Sequence, residues 1–219
     1  MRLVGVVSHG NGTGKTRLLT SVAEHWPGRF SAVKFTTIFS DGKFCPRDVA
    51  KTCACTKLHE DYQVIDDLES LDQPNTDTGR MIAAGLAPVR WCLARPDTHG
   101  AAWKHLSTMI PEDAELLTEG NTAMHSVPSD RLVFVVNPRV PRAAWKDDWK
   151  ALAERSSVVI VNDSVEAVGR RRPAGDEEAG RSLAEVQEAT PGLPRVVARY
   201  DAAFADWAGP LVESIFDGR

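Results

Sequence analysis

Residues 3–22 read LVGVVSHGNGTGKTRLLTSV, and this stretch decides the fold. Residues 3–8 are mostly apolar and rich in valine, as in a buried β-strand. A glycine-rich turn follows at residues 9–16, and residues 17–22 begin an amphipathic helical pattern. A strand, a glycine-rich turn and a helix in this order are the setting in which a phosphate-binding loop, the P-loop, occurs. We therefore predict a P-loop at residues 9–16.

The turn contains the groups that a P-loop uses to hold a nucleoside triphosphate. Its glycines let several amide N–H groups face one phosphate group, and the start of the helix near Gly14 adds the positive end of a helix dipole. Lys15 can reach the β- and γ-phosphates, and the Thr16 hydroxyl can ligate Mg²⁺. The predicted nucleotide-binding residues of this segment are Gly10, Asn11, Gly12, Thr13, Gly14, Lys15, Thr16 and Arg17.

One position of the turn departs from the full P-loop pattern. The pattern asks for glycine five residues before Gly14, where this chain has His9. That histidine is expected either to face phosphate or substrate or to be a surface residue. A glycine-rich turn without a ligand is the alternative to a P-loop. A lysine aimed into a bend of bare N–H groups, however, needs an anion to meet it.

The composition excludes several classes of protein. The chain has 219 residues, 42% hydrophobic and 26% charged, a balance typical of a globular domain. The formal charge of −4 gives no basic field for nucleic acid, and there is no apolar run of about 18 residues to span a membrane. The first strand begins at the N-terminus and leaves no room for a signal peptide. We expect a cytoplasmic protein that binds neither nucleic acid nor a membrane.

The rest of the pattern predicts strands that alternate with helices. Strands are expected at residues 31–36, 62–65, 89–94, 114–118, 131–136, 158–161 and 195–199. Helices are expected at residues 15–26, 77–85, 99–110, 145–155, 182–189 and 202–216, with a surface loop at 169–179. The alternation predicts a single α/β P-loop NTPase domain over residues 1–219, with a mostly parallel sheet and helices on both faces.

Two polar residues follow predicted strands at the sheet edge where ligands bind. Glu119 can hold Mg²⁺ through a water molecule and orient an attacking water; a helix cap or a surface acid is the alternative. Asn162 stands where GTP-binding proteins carry Asn-Lys-x-Asp, but Asp163 and Val165 occupy the Lys and Asp positions. Asn162 is thus a candidate nucleotide-binding residue, a strand-end cap is its alternative, and the base, adenine or guanine, stays open.

The predicted catalytic site combines residues of the P-loop with Glu119. Lys15 and Glu119 are predicted to be catalytic, and Thr16 and Glu119 are predicted to hold Mg²⁺.

A few charged residues near the second strand are candidates for a substrate site. Lys34 lies inside the apolar strand pattern, so it either reaches solvent from the strand end or faces phosphate. Asp77 opens the next helical pattern and could simply cap it. Arg80 could contact a substrate phosphate or pair with an acid. We predict Lys34 and Arg80 as candidate substrate-binding residues.

Residues 37–61 form a polar segment that holds Cys45, Cys53, Cys55 and His59. Long irregular segments inside compact domains are usually functional. Three thiolates and a histidine could ligate Zn²⁺, or the cysteines could hold an iron–sulfur cluster. Free thiols are the third alternative, and the spacing does not decide among the three. Disulfides are not expected in a cytosolic protein.

The sequence resembles the molybdopterin-guanine dinucleotide biosynthesis protein B family, from the class of P-loop proteins that includes nitrogenase iron protein and dethiobiotin synthetase. The likeness extends over about residues 2–162. It includes the strand and P-loop, a lysine in the second strand, an acid–hydroxyl–x–Arg helix followed by Ala-Gly at residues 77–85, and a strand that ends in Glu-Gly at residues 117–120.

The chain differs from that family in three places. Residues 35–37 (FTT) stand where the family has a histidine pair, and residues 121–122 (NT) stand where it has an aromatic residue and a lysine. The cysteine-containing segment 37–61 is additional. We therefore predict a divergent relative that keeps nucleotide binding.

The resemblance implies a homodimer, Mg²⁺ and slow nucleotide hydrolysis. Together with the cysteines, it predicts an NTPase that uses ATP or GTP and couples hydrolysis to the assembly or delivery of a metal cofactor for a client protein. Two alternatives stay open. One is a small-molecule kinase or ligase of the same fold, with Lys34, Arg80 and Arg95 binding an anionic acceptor. The other is a nucleotide-gated adaptor that docks a partner at the arginine run 170–172.

Overall fold

The computed structural model describes residues 1–38, 58, 60–165 and 172–217, and these ranges contain eight strands and seven α-helices. The strands are β1 (Arg2–Ser8), β2 (Ser31–Thr37), β3 (Tyr62–Ile65), β4 (Val89–Ala94), β5 (Glu115–Glu119), β6 (Arg131–Val136), β7 (Val158–Val161) and β8 (Arg195–Val197). The helices are α1 (Lys15–His25), α2 (Leu68–Leu71), α3 (Asp77–Ala83), α4 (His99–Ser107), α5 (Trp149–Glu154), α6 (Asp176–Ala189) and α7 (Phe204–Asp217).

The strands form one sheet in the order β3-β4-β2-β5-β1-β6-β7-β8. All neighbouring strands are parallel except β3, which runs antiparallel to β4. The central strand β1 lies between β5 and β6, with Val6 opposite Glu119 and Ser8 opposite Val135. The turn after β1 therefore meets the carboxyl ends of both neighbours, where ligands bind in parallel sheets.

Helices cover both faces of the sheet, as the alternating pattern predicts. Side chains of successive strand residues point to opposite faces, so Leu3 and Val7 pack on one side while Val4 and Val6 pack on the other. The first side is covered by α4, α5 and α6, and the second by α1, α3 and α7. The fold is thus an α/β arrangement with a mostly parallel sheet.

Most of the expected helices have boundaries that differ by one to three residues, and two of them differ more. A helix was expected over residues 145–155, but α5 begins at Trp149, and Trp145 has an extended backbone with φ −76° and ψ 146°. The helix expected at 182–189 begins earlier, at Asp176. The first turn of α6 contains three acidic residues, which face the positive end of its dipole and favour a start at this point. Of the expected loop at residues 169–179, residues 176–179 belong to α6, and residues 172–175 are the part outside a helix that the structure describes.

The closing helix α7 is interrupted. Gly209 has φ 68° and ψ 170°, outside the helical region, and it directly precedes Pro210, which has no N–H group to donate. The two parts still present apolar side chains to the sheet. Among the described residues, no helix has the length and apolar character needed to cross a membrane.

Candidate functional site

The glycine-rich turn links the end of β1 at Ser8 to the start of α1 at Lys15, which confirms the predicted strand–turn–helix order. Gly12 and Gly14 have positive φ angles of 76° and 96°. A Cβ atom on Gly14 would lie 2.4 Å from Asn162 Nδ2. Both the backbone conformation and the space therefore favour glycine at position 14.

The Lys15 ammonium points back into the turn. It donates hydrogen bonds to Ser8 Oγ at 2.9 Å and to the Gly10 carbonyl at 2.8 Å. Burial, and after it the positive charges of Lys34 and Lys146, lower the pKa of Lys15 to about 7. Three ammonium groups thus act on one small region at the carboxyl edge of the sheet. An anion is the ligand that complements such a region electrostatically.

Thr16 and Glu119 meet across the central strands. The Thr16 hydroxyl donates to Glu119 Oε2 at 2.8 Å, and Glu119 is fully buried. That burial rules out a surface acid. Glu119 is the last residue of β5 and the following short 3₁₀ helix is preceded by Asn121, so Glu119 is not a helix cap either.

Lys34 connects the buried carboxylate to a second acid. Its ammonium contacts Glu119 Oε1 and donates to Asp77 Oδ2 at 2.9 Å. Burial raises the pKa of Asp77, but the charge of Lys34 and its hydrogen bond outweigh that effect and hold the pKa at about 2. Lys34 is therefore neither a surface lysine nor an unpaired cation, because its ammonium contacts the carboxyl groups of both Asp77 and Glu119.

The other predicted substrate residue lies at the margin of this network. The Arg80 side chain is 58% exposed, and its guanidinium lies 3.6 Å from Asp77 Oδ1. The expectation that Asp77 caps α3 is wrong. Thr76 is the cap, because its hydroxyl accepts from the Gly79 N–H at 3.0 Å. Asp77 is thereby left to pair with Lys34.

Asn162 lies directly after β7 and holds the P-loop backbone. Its Nδ2 donates to the Thr13 carbonyl at 2.8 Å, and its Oδ1 accepts from the Ser164 N–H at 3.2 Å. Asp163 pairs with Arg139 at 2.8 Å instead of filling the role of the lysine in Asn-Lys-x-Asp. Asn162 thus both caps the end of β7 and contacts the turn.

Several residues at the site had no signal in the sequence analysis. The Asn121 side chain pairs with both main-chain groups of Ser8, accepting from its N–H at 3.1 Å and donating to its carbonyl. Tyr200 also had no signal: the centre of its ring lies 5.0 Å from the guanidinium of Arg17, an exposed residue that the sequence predicts to bind nucleotide. The Glu-Gly pair before Asn121 marked this strand end, but nothing in the pattern singled out the asparagine.

His9 is buried rather than exposed. Its Nε2 accepts from the Asn137 N–H at 3.0 Å, and its ring stacks on Trp145 with centroids 4.1 Å apart. Burial, together with the positive charge of Lys15, lowers the pKa of His9 to about 3. The histidine is therefore neutral at physiological pH, and the surface alternative is wrong.

The predicted cysteine site lies outside the described residues: Cys45, Cys53, Cys55 and His59 all fall there, as do Arg170 and Arg171. The described Cys92 is a buried free thiol in β4. In the described ranges, no cluster of three or more His, Cys, Asp or Glu side chains is arranged to hold a metal ion.

No family model matches the sequence, and no curated protein matches it either. Among solved structures, the chain is similar to HypB from Helicobacter pylori in complex with nickel, with 14% identity over 100% of this chain and 88% of HypB and a TM-score of 0.53. It is also similar to the hydrogenase maturation factor HypB from Archaeoglobus fulgidus, with 13% identity over 94% of this chain and 86% of that one and a TM-score of 0.50.

A third similar structure is the MinC:MinD cell division protein complex of Aquifex aeolicus, with 17% identity over 99% of this chain and 93% of that chain and a TM-score of 0.42. At this low identity, the likeness to the two HypB structures bears on the fold alone. The chain has the P-loop NTPase fold.

Proposed function

We propose that the protein is a Mg²⁺-dependent P-loop NTPase, hydrolysing ATP or GTP slowly, that couples nucleotide binding and hydrolysis to the assembly or delivery of a metal cofactor. The observation that carries the NTPase part is the hydrogen bond between Thr16 and Glu119 at 2.8 Å, at the helix end of a loop that holds Lys15. It brings a hydroxyl and a carboxylate together beside the ammonium that would meet the phosphates.

The donor set fits Mg²⁺. This cation prefers hard oxygen ligands and usually binds through one or two protein groups plus phosphate oxygens and water. Thr16 would hold it directly and Glu119 through a water molecule. The bound ion would neutralise charge on the β- and γ-phosphate oxygens.

The residues of the chain would divide the remaining tasks. The amides at Gly12 to Lys15, with Gly10, Asn11 and Arg17 on either side, would cradle the phosphates, and Lys15 would leave Ser8 and the Gly10 carbonyl to meet them. Lys34 would hold the buried Glu119 side chain in place, so that Glu119 can orient the attacking water. Asn162 would hold the Thr13 carbonyl and so keep the turn in shape.

The cofactor part of the proposal draws on the three cysteines and His59 of the segment 37–61, and on a fold neighbour seen in complex with nickel and another described as a hydrogenase maturation factor. We propose that this segment holds a zinc ion or an iron–sulfur cluster. It follows β2, whose Lys34 contacts Glu119. A change at the nucleotide could therefore reach it through one strand.

The remaining elements of the proposal follow the resemblance. The protein would act as a homodimer. Each copy would be one P-loop NTPase domain over residues 1–219, with the cysteine segment as an insert. The dimer would serve a cofactor-dependent client protein.

Phosphate release tests this function. Purified protein with Mg²⁺ and either ATP or GTP should release inorganic phosphate slowly, and Lys15→Ala should abolish the release. Lys150→Ala is the matched control, because Lys150 is exposed on α5. Equal activity of wild type and Lys15→Ala, or none above buffer for both nucleotides, would overturn the NTPase proposal.

A further inference from the structure

A short segment between β6 and α5 lies against the entrance of the P-loop. The Lys146 N–H donates to the His9 carbonyl at 2.8 Å, and the neighbouring Trp145 ring stacks on the His9 ring at 4.1 Å. A Cβ atom on Gly10 would lie 3.0 Å from the Ala144 carbonyl oxygen. Three separate contacts therefore fix residues 144–146 on residues 9–10, and they place Lys146 at the mouth of the turn.

The three lysines near the entrance of the P-loop differ in whether an acid pairs with them. Lys34 is bound by two carboxylates. Lys15 donates to a hydroxyl and a carbonyl, and no carboxylate of the described residues forms an ion pair with Lys15 or Lys146. Lys146 is half-buried and close enough to lower the pKa of Lys15. Two ammonium groups thus share a partly buried region without a direct ion pair, although the charge of Asp77 acts on Lys15 and that of Asp148 acts on Lys146.

We propose that Lys146 is a second phosphate-contacting lysine, which holds the terminal phosphate group of the bound nucleoside triphosphate together with Lys15. This inference rests on the proposed function. The P-loop amides and Lys15 approach the phosphates from the turn, and Lys146 approaches from the segment that closes over Gly10. The same chain supplies both cations.

In the reaction, the oxygen of a water molecule forms a bond to the γ-phosphorus, and the bond from that phosphorus to the β–γ bridging oxygen breaks. The electron pair stays on the bridging oxygen, so the products are the nucleoside diphosphate and inorganic phosphate, and one proton goes to solvent. Lys146 neither gains nor loses a proton. Its charge balances the negative charge of the terminal phosphate, which a diphosphate lacks.

Nucleotide discrimination tests this role. Calorimetry with Mg²⁺ compares a non-hydrolysable nucleoside triphosphate analogue with the nucleoside diphosphate, for wild type, Lys146→Met, Lys146→Arg and the exposed control Lys150→Met. Loss of one charge-assisted contact should weaken triphosphate binding by about tenfold to a hundredfold. Diphosphate binding by Lys146→Met should stay at the wild-type value.

Lys146→Arg and Lys150→Met should keep the wild-type preference for triphosphate, because both retain a positive charge at position 146. The quantity to compare is the ratio of triphosphate affinity to diphosphate affinity. If wild type binds both nucleotides and Lys146→Met has the same affinity ratio as wild type, the inference fails and the proposed function stands. If the affinity ratio falls as much in Lys150→Met as in Lys146→Met, the inference about Lys146 also fails. If wild type binds neither nucleotide, the proposed function fails and this inference fails with it.

Discussion

The hydroxyl of Thr16 donates a hydrogen bond to Glu119 Oε2 over 2.8 Å, although the two residues are 103 positions apart in the chain. The contact exists because β1 and β5 are neighbours in the sheet, with Val6 opposite Glu119. The turn after β1 and the end of β5 therefore lie side by side. Since Glu119 also contacts Lys34, a single buried carboxylate connects the P-loop to β2.

Replacing Glu119 by Gln should separate binding from hydrolysis. The amide keeps the size of the side chain but cannot balance Lys34 or orient water as a carboxylate does. We expect nucleotide hydrolysis to fall by about a hundredfold, with nucleotide affinity changed much less. Phosphate release and calorimetry measure the two effects.

Glu112→Gln is the control for this variant, because Glu112 is exposed and precedes the same strand. A thermal melt of each variant checks that the sheet is intact. Wild-type hydrolysis rates in folded Glu119→Gln would rule out a role for this acid in the reaction.

Replacing Asn162 by Ala should weaken the binding of ATP and the binding of GTP to the same extent. The side chain is occupied by the Thr13 carbonyl and the Ser164 N–H, so its loss loosens the turn without removing a contact to the base. One neutral hydrogen bond corresponds to about a twofold to tenfold loss of affinity. Asn162→Asp should not restore binding, because a carboxylate cannot donate to a carbonyl. A loss confined to one of the two nucleotides would instead mean that Asn162 reads the base.

Acid should destabilise the protein partly through His9. The pKa of His9 is about 3 in the folded protein and 6.5 in the unfolded chain, so only the unfolded chain binds this proton between those values. The free energy of unfolding should therefore decrease as pH falls from about 6.5, by up to about 1.4 kcal/mol per pH unit from this group. Urea unfolding at several pH values measures the slope.

His9→Gln removes the titrating group and keeps an acceptor for the Asn137 N–H. This variant should be less stable than wild type at pH 7, because it loses the stacking on Trp145. The difference between the free energies of unfolding of wild type and variant should become smaller as pH falls below 6.5. The exposed His105→Gln should keep the wild-type slope. Parallel pH profiles for wild type and His9→Gln would contradict the assigned pKa.

The cysteine segment should bind metal. We expect protein purified without oxygen to contain about one zinc ion or one iron–sulfur cluster per chain, which elemental analysis and visible absorption distinguish. Joint replacement of Cys45, Cys53 and Cys55 by Ser should remove the metal, while the P-loop still binds nucleotide. Cys92→Ala is the control, because Cys92 is a buried thiol in β4. Metal-free wild type would end this part of the proposal.

The main outlines of the fold could be predicted from the sequence because the strands have strong local signals. The bounds of β3, β4, β6 and β7 match their expected ranges, since each is a short apolar or alternating run between polar residues. The start of α5 could not be predicted in this way. The aromatic spacing from Trp145 suits a helix, but that ring is used against His9, and only the folded chain brings the two together.

The site shows the same division. The turn and Glu119 were identifiable because a nucleotide-binding motif and a strand end are local features. The sequence pattern predicts Asp77 as the cap of α3, whereas Thr76 makes that hydrogen bond and Asp77 pairs with Lys34, 43 positions away. Lys146 and Asn121 had no signal, because their importance arises from contacts with His9 and Ser8 across the sheet edge.

Direct binding is the measurement that bears most closely on the central claim, that the turn between β1 and α1 holds a nucleoside triphosphate. Isothermal titration calorimetry of the full chain with Mg²⁺ should show saturable heat for ATP, GTP or both, and Lys15→Ala should show none while unfolding as cooperatively as wild type. Absence of heat for either nucleotide with the wild-type protein, or undiminished binding by Lys15→Ala, would contradict this account.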